Sequence, residues 1–222
     1  MPPPIAVQPY APADRGALRR LCCEAAYGEV PLASFFPDGE LFADLMTAYY
    51  LEREPASTLV ARAGTASGSK LAGYLCGARD TRRQRRVQAL AVAPAALLRF
   101  AARGGLLSRR TWKLVRSNLG LFLPGGPGGR AGRLSLERYP AHLHLALRRD
   151  ARGRGLGRRL VEAFLERLAA AGVPGVHAVV REENAGARRF FERLGFRPLE
   201  RSPALRLAEA PGSFKMAYGR DL

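Results

Sequence analysis

One stretch, from Tyr139 to Leu168, constrains the fold more than any other part of the sequence. His142 and His144 alternate with leucines, a period of two that is typical of a β-strand. Glycines then occupy every second position from 153 to 157, and the apolar residues after them follow the spacing of an α-helix. The stretch therefore predicts a strand, a tight glycine turn and a helix, in that order.

The glycine turn is a candidate phosphate site. A turn that opens a helix presents backbone N–H groups and the positive end of the helix dipole, and glycine lets a ligand approach the backbone closely. The spacing excludes a P-loop, which ends in Gly-Lys-Ser/Thr, and the dinucleotide fingerprint, whose third glycine follows the second by three residues. Nearby cations suit a pyrophosphate: Arg152, Arg154, Arg158 and Arg159.

The pattern Arg-x-x-Gly-x-Gly, formed by Arg152, Gly155 and Gly157, resembles the coenzyme A pyrophosphate loop of the GNAT superfamily of acyl-CoA-dependent N-acyltransferases. Residues 184–196 resemble the second signature of that family, Asn-x-x-Ala-x-x-x-Tyr-Glu-x-x-Gly-Phe. Residues 139–144 also resemble bacterial GNAT proteins related to the acetyltransferase-like domain of eukaryotic O-GlcNAc hydrolases. The resemblance is specific from residue 139 to residue 196.

This resemblance implies an α/β fold with a mixed, mostly antiparallel twisted sheet of six to seven strands flanked by helices. It implies acetyl-CoA as the cofactor, with the backbone of Leu145 and Leu147 pairing with the pantetheine arm and backbone N–H groups from Gly153 to Arg158 holding the pyrophosphate. The residues expected to bind the cofactor are Leu145, Ala146, Leu147, Arg152, Gly153, Arg154, Gly155, Leu156, Gly157, Arg158, Asn184 and Phe191.

Phe191 is a departure from the family pattern, because it occupies the position of the signature tyrosine. In many members that tyrosine is proposed to protonate the departing CoA thiolate, and phenylalanine has no proton to give. A free thiol titrates near ~8.5 and leaves fairly well unaided. Either another group or water supplies the proton, or the chain is a weak or inactive CoA-binding module acting as a scaffold.

The catalytic candidates are His142, His144 and Glu182. Amide formation needs a neutral amine, and a histidine, which titrates near ~6.5, suits the base that takes its proton. The two histidines share one face of the predicted strand, but either can be structural. Glu182 and Glu183 follow a predicted strand at 176–180, and they can also be favourable acids before a helix. Asn184 can likewise be a helix N-cap.

The N-terminal half follows the order expected of the GNAT fold. It predicts a strand at 5–8, a helix starting at residue 12, a helix from 38 to about 54, and a hairpin of strands at 58–63 and 71–76. The C-terminal part predicts strands at 196–199 and 213–218, with a loop at 201–212 that borders the acceptor site in the family. Tyr27, Phe35 and Phe36, in the loop between the first two helices, are candidate substrate contacts or ordinary core residues.

Residues 80–134 form an insertion between the third and fourth strands of a predicted single domain covering 1–222. It contains a basic segment at 81–86, two predicted helices at 93–102 and 108–118, and a Gly/Pro linker at 124–129. We expect a lid over the acceptor site or a homodimer contact. Nucleic-acid binding is a weaker alternative, because no aromatic residues are interleaved with the basic segment.

The formal net charge of +17 comes almost entirely from arginine. It indicates an acidic partner, such as nucleic acid, a membrane surface or a polyphosphate cofactor, or else an arginine-biased composition. The three cysteines, two of them adjacent, give neither a disulfide framework nor metal-ligand spacing, which predicts a cytoplasmic protein without a metal. The N-terminus lacks the pattern of a signal peptide. The longest apolar run, 87–98, is too short to span a bilayer, so we expect no membrane partner.

Together these features predict an N-acetyltransferase that moves an acetyl group from acetyl-CoA to a primary amine by direct attack in a ternary complex. The acceptor is a small molecule or a peptide whose identity the sequence leaves open. Two alternatives remain: the CoA-binding scaffold, and a basic protein associated with nucleic acid.

Overall fold

The computed structural model describes residues 5–26, 31–34, 36, 38–65, 68–122, 134–203 and 214–222. Its strands are β1 (Ile5–Pro9), β2 (Thr58–Thr65), β3 (Gly68–Ala78), β4 (Ala141–Leu147), β5 (Gly175–Arg181), β6 (Arg197–Pro203) and β7 (Phe214–Asp221). Its helices are α1 (Arg15–Glu24), α2 (Gly39–Glu52), α3 (Thr81–Val87), α4 (Ala93–Ala102), α5 (Arg109–Phe122), α6 (Leu156–Ala170) and α7 (Ala185–Arg193).

The seven strands form one sheet in the order β1-β2-β3-β4-β5-β7-β6. Every neighbouring pair is antiparallel except β4 and β5, which run parallel because helix α6 carries the chain back between them. This confirms the predicted mixed, mostly antiparallel sheet with flanking helices.

The two faces of the sheet are covered by different helices. Along β4, Leu143 packs into a cluster with α6 and α7, whereas Ala146 packs into a second cluster with α1 and α2. The alternation of side chains along a strand therefore directs His142 and His144 to the α1–α2 face. The predicted shared face of the two histidines is correct.

The insertion contains a helix that the sequence analysis missed. Helix α3 continues through one π turn, Gln88–Val92, into α4, whose bounds agree with the helix predicted at 93–102. Asp80 caps the new N-terminus by accepting from the backbone N–H groups of Arg82 and Arg83. Pro94 has no N–H group to donate to the preceding turn of the helix. It lies just after the π turn, where the ordinary hydrogen-bonding pattern is already interrupted.

Helix α4 packs against α2. Leu41, Ala96 and Phe100 form a small apolar cluster between them. Two ion pairs flank this contact, Arg99 with Asp44 at 2.9 Å and Arg103 with Asp38 at 3.2 Å. The insertion is thereby attached to the first half of the fold through α2. Among the described residues, no helix has the length and apolar character that crossing a membrane requires.

Candidate active site

A gap opens between β4 and β5 in the middle of the sheet. The two strands are in register over only three residue pairs, from Ala141 with Val176 to Leu143 with Ala178. Beyond Leu143, β4 remains paired with β3 as far as Leu147, and β5 remains paired with β7 as far as Arg181. The two strands therefore diverge toward their C-terminal ends.

The backbone of β4 presents hydrogen-bonding groups to this gap. The N–H of Arg148 donates to the carbonyl of Ala72, and the carbonyl of Pro140 accepts from the N–H of Thr81. The backbone groups of Pro140 and Arg148, both even-numbered, therefore point to the β3 side of β4. N–H and C=O groups alternate sides along an extended strand. The backbone groups of Leu145 and Leu147 therefore face the gap.

The predicted glycine turn lies at the end of β4. A short 3₁₀ helix, Arg149–Ala151, follows the strand, and Gly153 and Gly155 then adopt φ angles of +74° and +73°. These are left-handed conformations that side chains other than glycine adopt at a cost. A Cβ atom at either position would have no atom within 4 Å among the described residues, so the turn is open on its outer side.

Helix α6 begins directly after this turn, at Leu156. Its first helical hydrogen bond runs from the N–H of Arg159 to the carbonyl of Gly155, so the N–H groups of residues 156–158 precede the helical ladder. Gly157 has a different role from the other two glycines. Its Cβ would lie 3.2 Å from the ring of Phe190 and 3.3 Å from Leu147, so a small residue allows α6 to pack closely on α7 and β4.

The arginines of the turn surround this helix end. Arg152 donates to the carbonyl of Leu147 at 3.4 Å, and Arg158 pairs with Glu162 at 2.7 Å. An open cleft lies beside them, between the C-terminal end of α1 and the end of β4; it is lined by Leu21, Glu24, Ala25, Leu147, Arg148, Arg149, Asp150 and Arg152. Backbone donors, guanidinium groups and an open turn are the features that a pyrophosphate requires, so these residues fit the implied cofactor.

His142 is held in one hydrogen-bonded chain. Its Nε2 lies 2.7 Å from the hydroxyl of Tyr50 on α2, and its Nδ1 lies 2.7 Å from Oγ1 of Thr81. Thr81 Oγ1 also donates to the carbonyl of Pro140 at 2.7 Å. A hydroxyl has one hydrogen, so Thr81 must accept from Nδ1–H, and Nε2 must then accept from Tyr50.

These hydrogen bonds use both ring nitrogens of a neutral His142 imidazole. Burial, reinforced by the nearby rings and charges of His177, Arg85 and His144, lowers the pKa of His142 to about 3. At neutral pH the ring therefore carries no charge, and its basic nitrogen, Nε2, already accepts a hydrogen bond from Tyr50. His142 is a weak base in this arrangement.

His144 lies two residues further along the same face. Its Nε2 is 3.1 Å from the hydroxyl of Tyr74 on β3, and burial lowers its pKa to about 4. His177, the third histidine of the chain, is opposite His142 in the parallel register, with the ring centroids 5.6 Å apart. All three histidines thus line one face of the sheet, but no group of metal-ligating side chains is found among the described residues.

The same face opens to solvent beside the gap. Val179, two residues beyond His177 on β5, is 53% exposed, whereas His177 is buried. His177 and the partly buried His142 therefore lie at the closed end of the gap, and His144 and Val179 lie toward its open end.

Glu182 follows β5 and is held in an ion pair. Arg201 on β6 donates to both of its carboxylate oxygens at 2.8 Å, and this hydrogen bonding lowers the pKa of Glu182. Glu183 approaches Arg181 at 3.7 Å. Both carboxylates are therefore engaged with arginines, and the lowered pKa of Glu182 makes that carboxylate a weaker proton acceptor.

Asn184 acts as a helix N-cap, since its side chain accepts from the N–H of Ala187 at 2.9 Å. Phe191 is buried, and its ring packs edge-to-face with Phe190 and Phe196, at 5.2 Å in each case. In this chain the position of the signature tyrosine is part of the apolar core between α7 and the sheet.

Of the three aromatic candidates for acceptor binding, only Phe36 lies within the described residues. It packs edge-on against Phe42 at 5.3 Å and adjoins the cluster between α2 and α4, which is a core position. Tyr27 and Phe35 lie outside the described residues, as does most of the predicted loop at 201–212.

Sequence reasoning missed the partners of the histidines: Tyr50, Tyr74 and Thr81. Tyr74 follows from the antiparallel register of β3 with β4, which places it diagonally from His144. Tyr50 and Thr81 come from α2 and from the start of the insertion, and no local pattern connects them with β4.

Comparisons with known proteins agree with this geometry. Residues 129–196 match the acetyltransferase (GNAT) family model. The fold is similar to that of the crystal structure of SsHAT, with 28% identity over 99% of this chain and 98% of that chain and a TM-score of 0.70. It is also similar to a polyamine N-acetyltransferase of Drosophila melanogaster that forms N-acetylagmatine, with 17% identity, coverage of 99% and 100%, and a TM-score of 0.61.

A third similar structure is yncA, a putative acetyltransferase from Salmonella typhimurium solved with its cofactor acetyl-CoA; it has 15% identity, coverage of 98% and 94%, and a TM-score of 0.57. The matched segment contains β4, the glycine turn, α6 and β5, which border the gap. Residues 129–196 thus resemble the acetyltransferase (GNAT) family in sequence, and the whole chain has a fold similar to that of SsHAT.

Proposed function

We propose that the protein transfers the acetyl group of acetyl-CoA to a primary amine of a small molecule or a peptide, by direct attack in a ternary complex. One observation carries the proposal: the gap between β4 and β5 opens directly onto the glycine turn at the start of α6. This arrangement offers strand-like backbone groups and a phosphate-binding helix end in immediate succession.

The proposed cofactor contacts follow from the backbone. Leu145 and Leu147 offer N–H and C=O groups to an extended pantetheine arm, and the N–H groups from Gly153 to Arg158 receive the pyrophosphate. Bound acetyl-CoA supplies a thioester carbonyl that an amine can attack. Arg152 and Arg154 add positive charge, and Phe191 contributes to the apolar packing behind the site.

Proton transfer in this proposal depends mainly on water. His142 accepts from Tyr50 at its only basic nitrogen, so we assign it a positioning role for that hydroxyl. His144 lies nearer the open end of the gap and is the remaining histidine candidate for a base. Glu182 is the weakest of the three predicted catalytic residues, because Arg201 already occupies both of its carboxylate oxygens.

A second function, a CoA-binding module without turnover, is favoured by Phe191. Its ring is packed between Phe190 and Phe196, so this position supplies no hydroxyl to the departing thiolate. The two functions share the cofactor site and differ only in acetyl transfer.

Calorimetric titration with acetyl-CoA at physiological salt, followed by a thiol-release assay with a panel of primary amines, tests both functions. Micromolar binding with amine-dependent thiol release supports the transferase. Binding without release by any amine supports the module, and absence of binding contradicts both.

Gly155→Glu is the sharpest variant, because it places a carboxylate in the proposed phosphate site. Gly172→Glu is its matched control: it lies just beyond the other end of α6, also has a positive φ angle (+66°), and its Cβ would also meet no described atom within 4 Å. Both variants bear the same backbone strain. We expect only Gly155→Glu to abolish cofactor binding, and equal binding by the two variants would contradict the assignment of the phosphate loop.

A further inference from the structure

The positive charge of the chain is concentrated in the insertion. From Thr81 to Leu136 the sequence has twelve arginines and lysines and no aspartate or glutamate. The rest of the chain is much closer to balance, with 24 basic and 19 acidic residues. A uniform arginine bias does not explain a segment of this length without a single carboxylate.

The exposed apolar side chains are concentrated in the same segment. Seven of the nine large apolar side chains that are exposed among the described residues lie between residues 90 and 115: Leu90, Leu97, Leu98, Leu106, Leu107, Trp112 and Val115. Isolated exposed leucines are common on protein surfaces, but such a concentration indicates a binding surface.

The continuous helix formed by α3, the π turn and α4 is apolar on two sides. Val92, Ala96 and Phe100 are buried, at intervals of four residues. Leu90 and Leu98 are 77% and 73% exposed, and their spacing of eight residues places them along a second, outward stripe with Leu97. Packing against α2 therefore buries only one of the two apolar sides of this continuous helix.

Helix α5 combines both kinds of side chain on one stripe. Arg109, Trp112, Lys113 and Arg116 follow the spacing i, i+3, i+4 and i+7, and they line one shallow hollow. Thr111 is buried and donates to the carbonyl of Gly105, while Trp112 donates its indole N–H to the carbonyl of Leu106 at 2.9 Å. These bonds attach the first turn of α5 to the loop that carries the exposed Leu106 and Leu107.

We propose that the part of the insertion from Leu90 to Arg116 is a peripheral docking surface for an anionic lipid bilayer. Leucine and tryptophan side chains enter the boundary between headgroups and acyl chains, and arginine and lysine side chains bind the anionic headgroups. The proposal revises the sequence-based expectation of no membrane partner, which rested on the lack of an apolar run long enough to span a bilayer. Surface contact needs no such run and requires only this combination of side chains.

Charge complementarity selects this partner over two others. A second copy of the chain would bring two segments without carboxylates together, which like-charge repulsion opposes. A nucleic acid would be attracted by the arginines, but it offers no apolar interior for the exposed leucines. A bilayer with anionic headgroups accommodates both the charge and the leucines.

Trp112 is the only tryptophan of the chain and lies within the proposed surface, so its fluorescence reports on docking directly. The full chain is titrated with phosphatidylcholine vesicles that contain phosphatidylglycerol, and with pure phosphatidylcholine vesicles. We expect a blue shift and quenching by brominated lipid with the anionic vesicles only, reversed at about 0.5 M salt.

Two variants separate the contributions. Arg109→Gln with Arg116→Gln removes charge, and we expect vesicle affinity to fall about fivefold for each arginine. Leu97→Gln with Leu98→Gln removes apolar contact and should also weaken binding. Arg20→Gln and Leu222→Gln, both exposed outside the insertion, are the matched controls and should leave binding unchanged.

Several results would overturn the proposal. They are absence of a shift with anionic vesicles, equal binding to neutral vesicles, and equal losses in the control variants. A response of Trp112 to duplex DNA at lower concentration than to vesicles would assign the surface to nucleic acid. A concentration-dependent dimer that the leucine variants abolish, without vesicle binding, would assign it to a second copy.

Discussion

At the scale of single residues, His142 shows how hydrogen bonding fixes a protonation state. Tyr50 donates to Nε2, Nδ1 donates to Thr81, and Thr81 donates to Pro140, so each of the three side chains uses its hydrogen once. These bonds select the tautomer of the neutral ring. Burial, reinforced by His177, Arg85 and His144, is the physical origin of its lowered pKa.

The lowered pKa values of His142 and His144 should make the folded state sensitive to mild acid. Their folded pKa values, about 3 for His142 and about 4 for His144, lie below the unfolded value of ~6.5. The unfolded state therefore binds protons first as the pH falls, and the stability present above pH ~6.5 is lost. Between pH 7 and pH 5 we expect the free energy of unfolding to fall by about 2 kcal/mol per histidine, as measured by urea unfolding.

The window above pH 5 isolates histidine from the carboxylates. Asp44, Glu182 and Asp221 also have lowered pKa values, but they bind protons only under more acidic conditions. His142→Gln should be less stable than the parent at pH 7 and should show a smaller loss between pH 7 and pH 5. An unchanged pH dependence would contradict the assignment of His142.

Catalysis provides a second prediction at this scale. Because neither His142 nor His144 titrates near neutrality, kcat/KM should rise with pH toward the pKa of the amine acceptor, without an inflection near pH ~6.5. His142→Ala with His144→Ala should reduce turnover while leaving acetyl-CoA affinity unchanged. Unchanged turnover in a steady-state thiol-release assay would remove both histidines from the mechanism.

At the scale of elements, the sequence predicted best where periodicity and glycines act locally. The period of two in β4, the glycine turn and the helical spacing of α6 are local patterns, and the structure has all three. Helix α3 was not predicted because residues 81–86 include four arginines, and such a run indicates only a charged segment. Its helical state depends on the Asp80 cap and on continuity with α4, through a π turn that no local pattern indicates.

The attachment of the insertion to α2 depends on Asp44. Its carboxylate is 8% exposed and receives both Arg19 and Arg99, whereas Glu40, which also binds Arg19, is 70% exposed. Removing the buried partner leaves cations without compensation. We expect Asp44→Ala to lower the free energy of unfolding by about 3 kcal/mol in chemical denaturation.

Glu40→Ala is the control, because it removes a carboxylate from the same arginine at an exposed position. We expect its effect to stay near 0.5 kcal/mol, roughly the value of a surface ion pair. Similar losses for the two variants would show that Asp44 has no special role in holding α4 on α2.

At the scale of the whole molecule, the sheet consists of two parts joined by three residue pairs. Strands β1 to β4 form one part, β5 to β7 form the other, and the gap separates them beyond Leu143. The sequence indicated the strands and their order through the family resemblance. The length of the pairing between β4 and β5, and the approach of Tyr50 and Thr81 to His142, depend on tertiary packing, so a local pattern does not determine them.

Cofactor binding should stabilise the whole molecule because it bridges these two parts. At a free concentration one hundred times Kd, acetyl-CoA should add about 2.7 kcal/mol, which corresponds to a rise in Tm of roughly 5–10 °C for a chain of this size. Differential scanning fluorimetry measures this rise, and Gly155→Glu should abolish it while Gly172→Glu retains it. A rise of equal size in Gly155→Glu would contradict the proposed binding mode.

The divergence of β4 from β5 also gives this sheet an internal edge. Open sheets have two outer edges, where unpaired backbone groups can recruit another extended chain. Here Leu145 and Leu147 form a third edge in the middle of the sheet. Cofactor supply thus becomes a determinant of solubility: the protein is expected to aggregate through strand addition when acetyl-CoA is scarce, and a bound pantetheine arm acts as a removable cover for that edge.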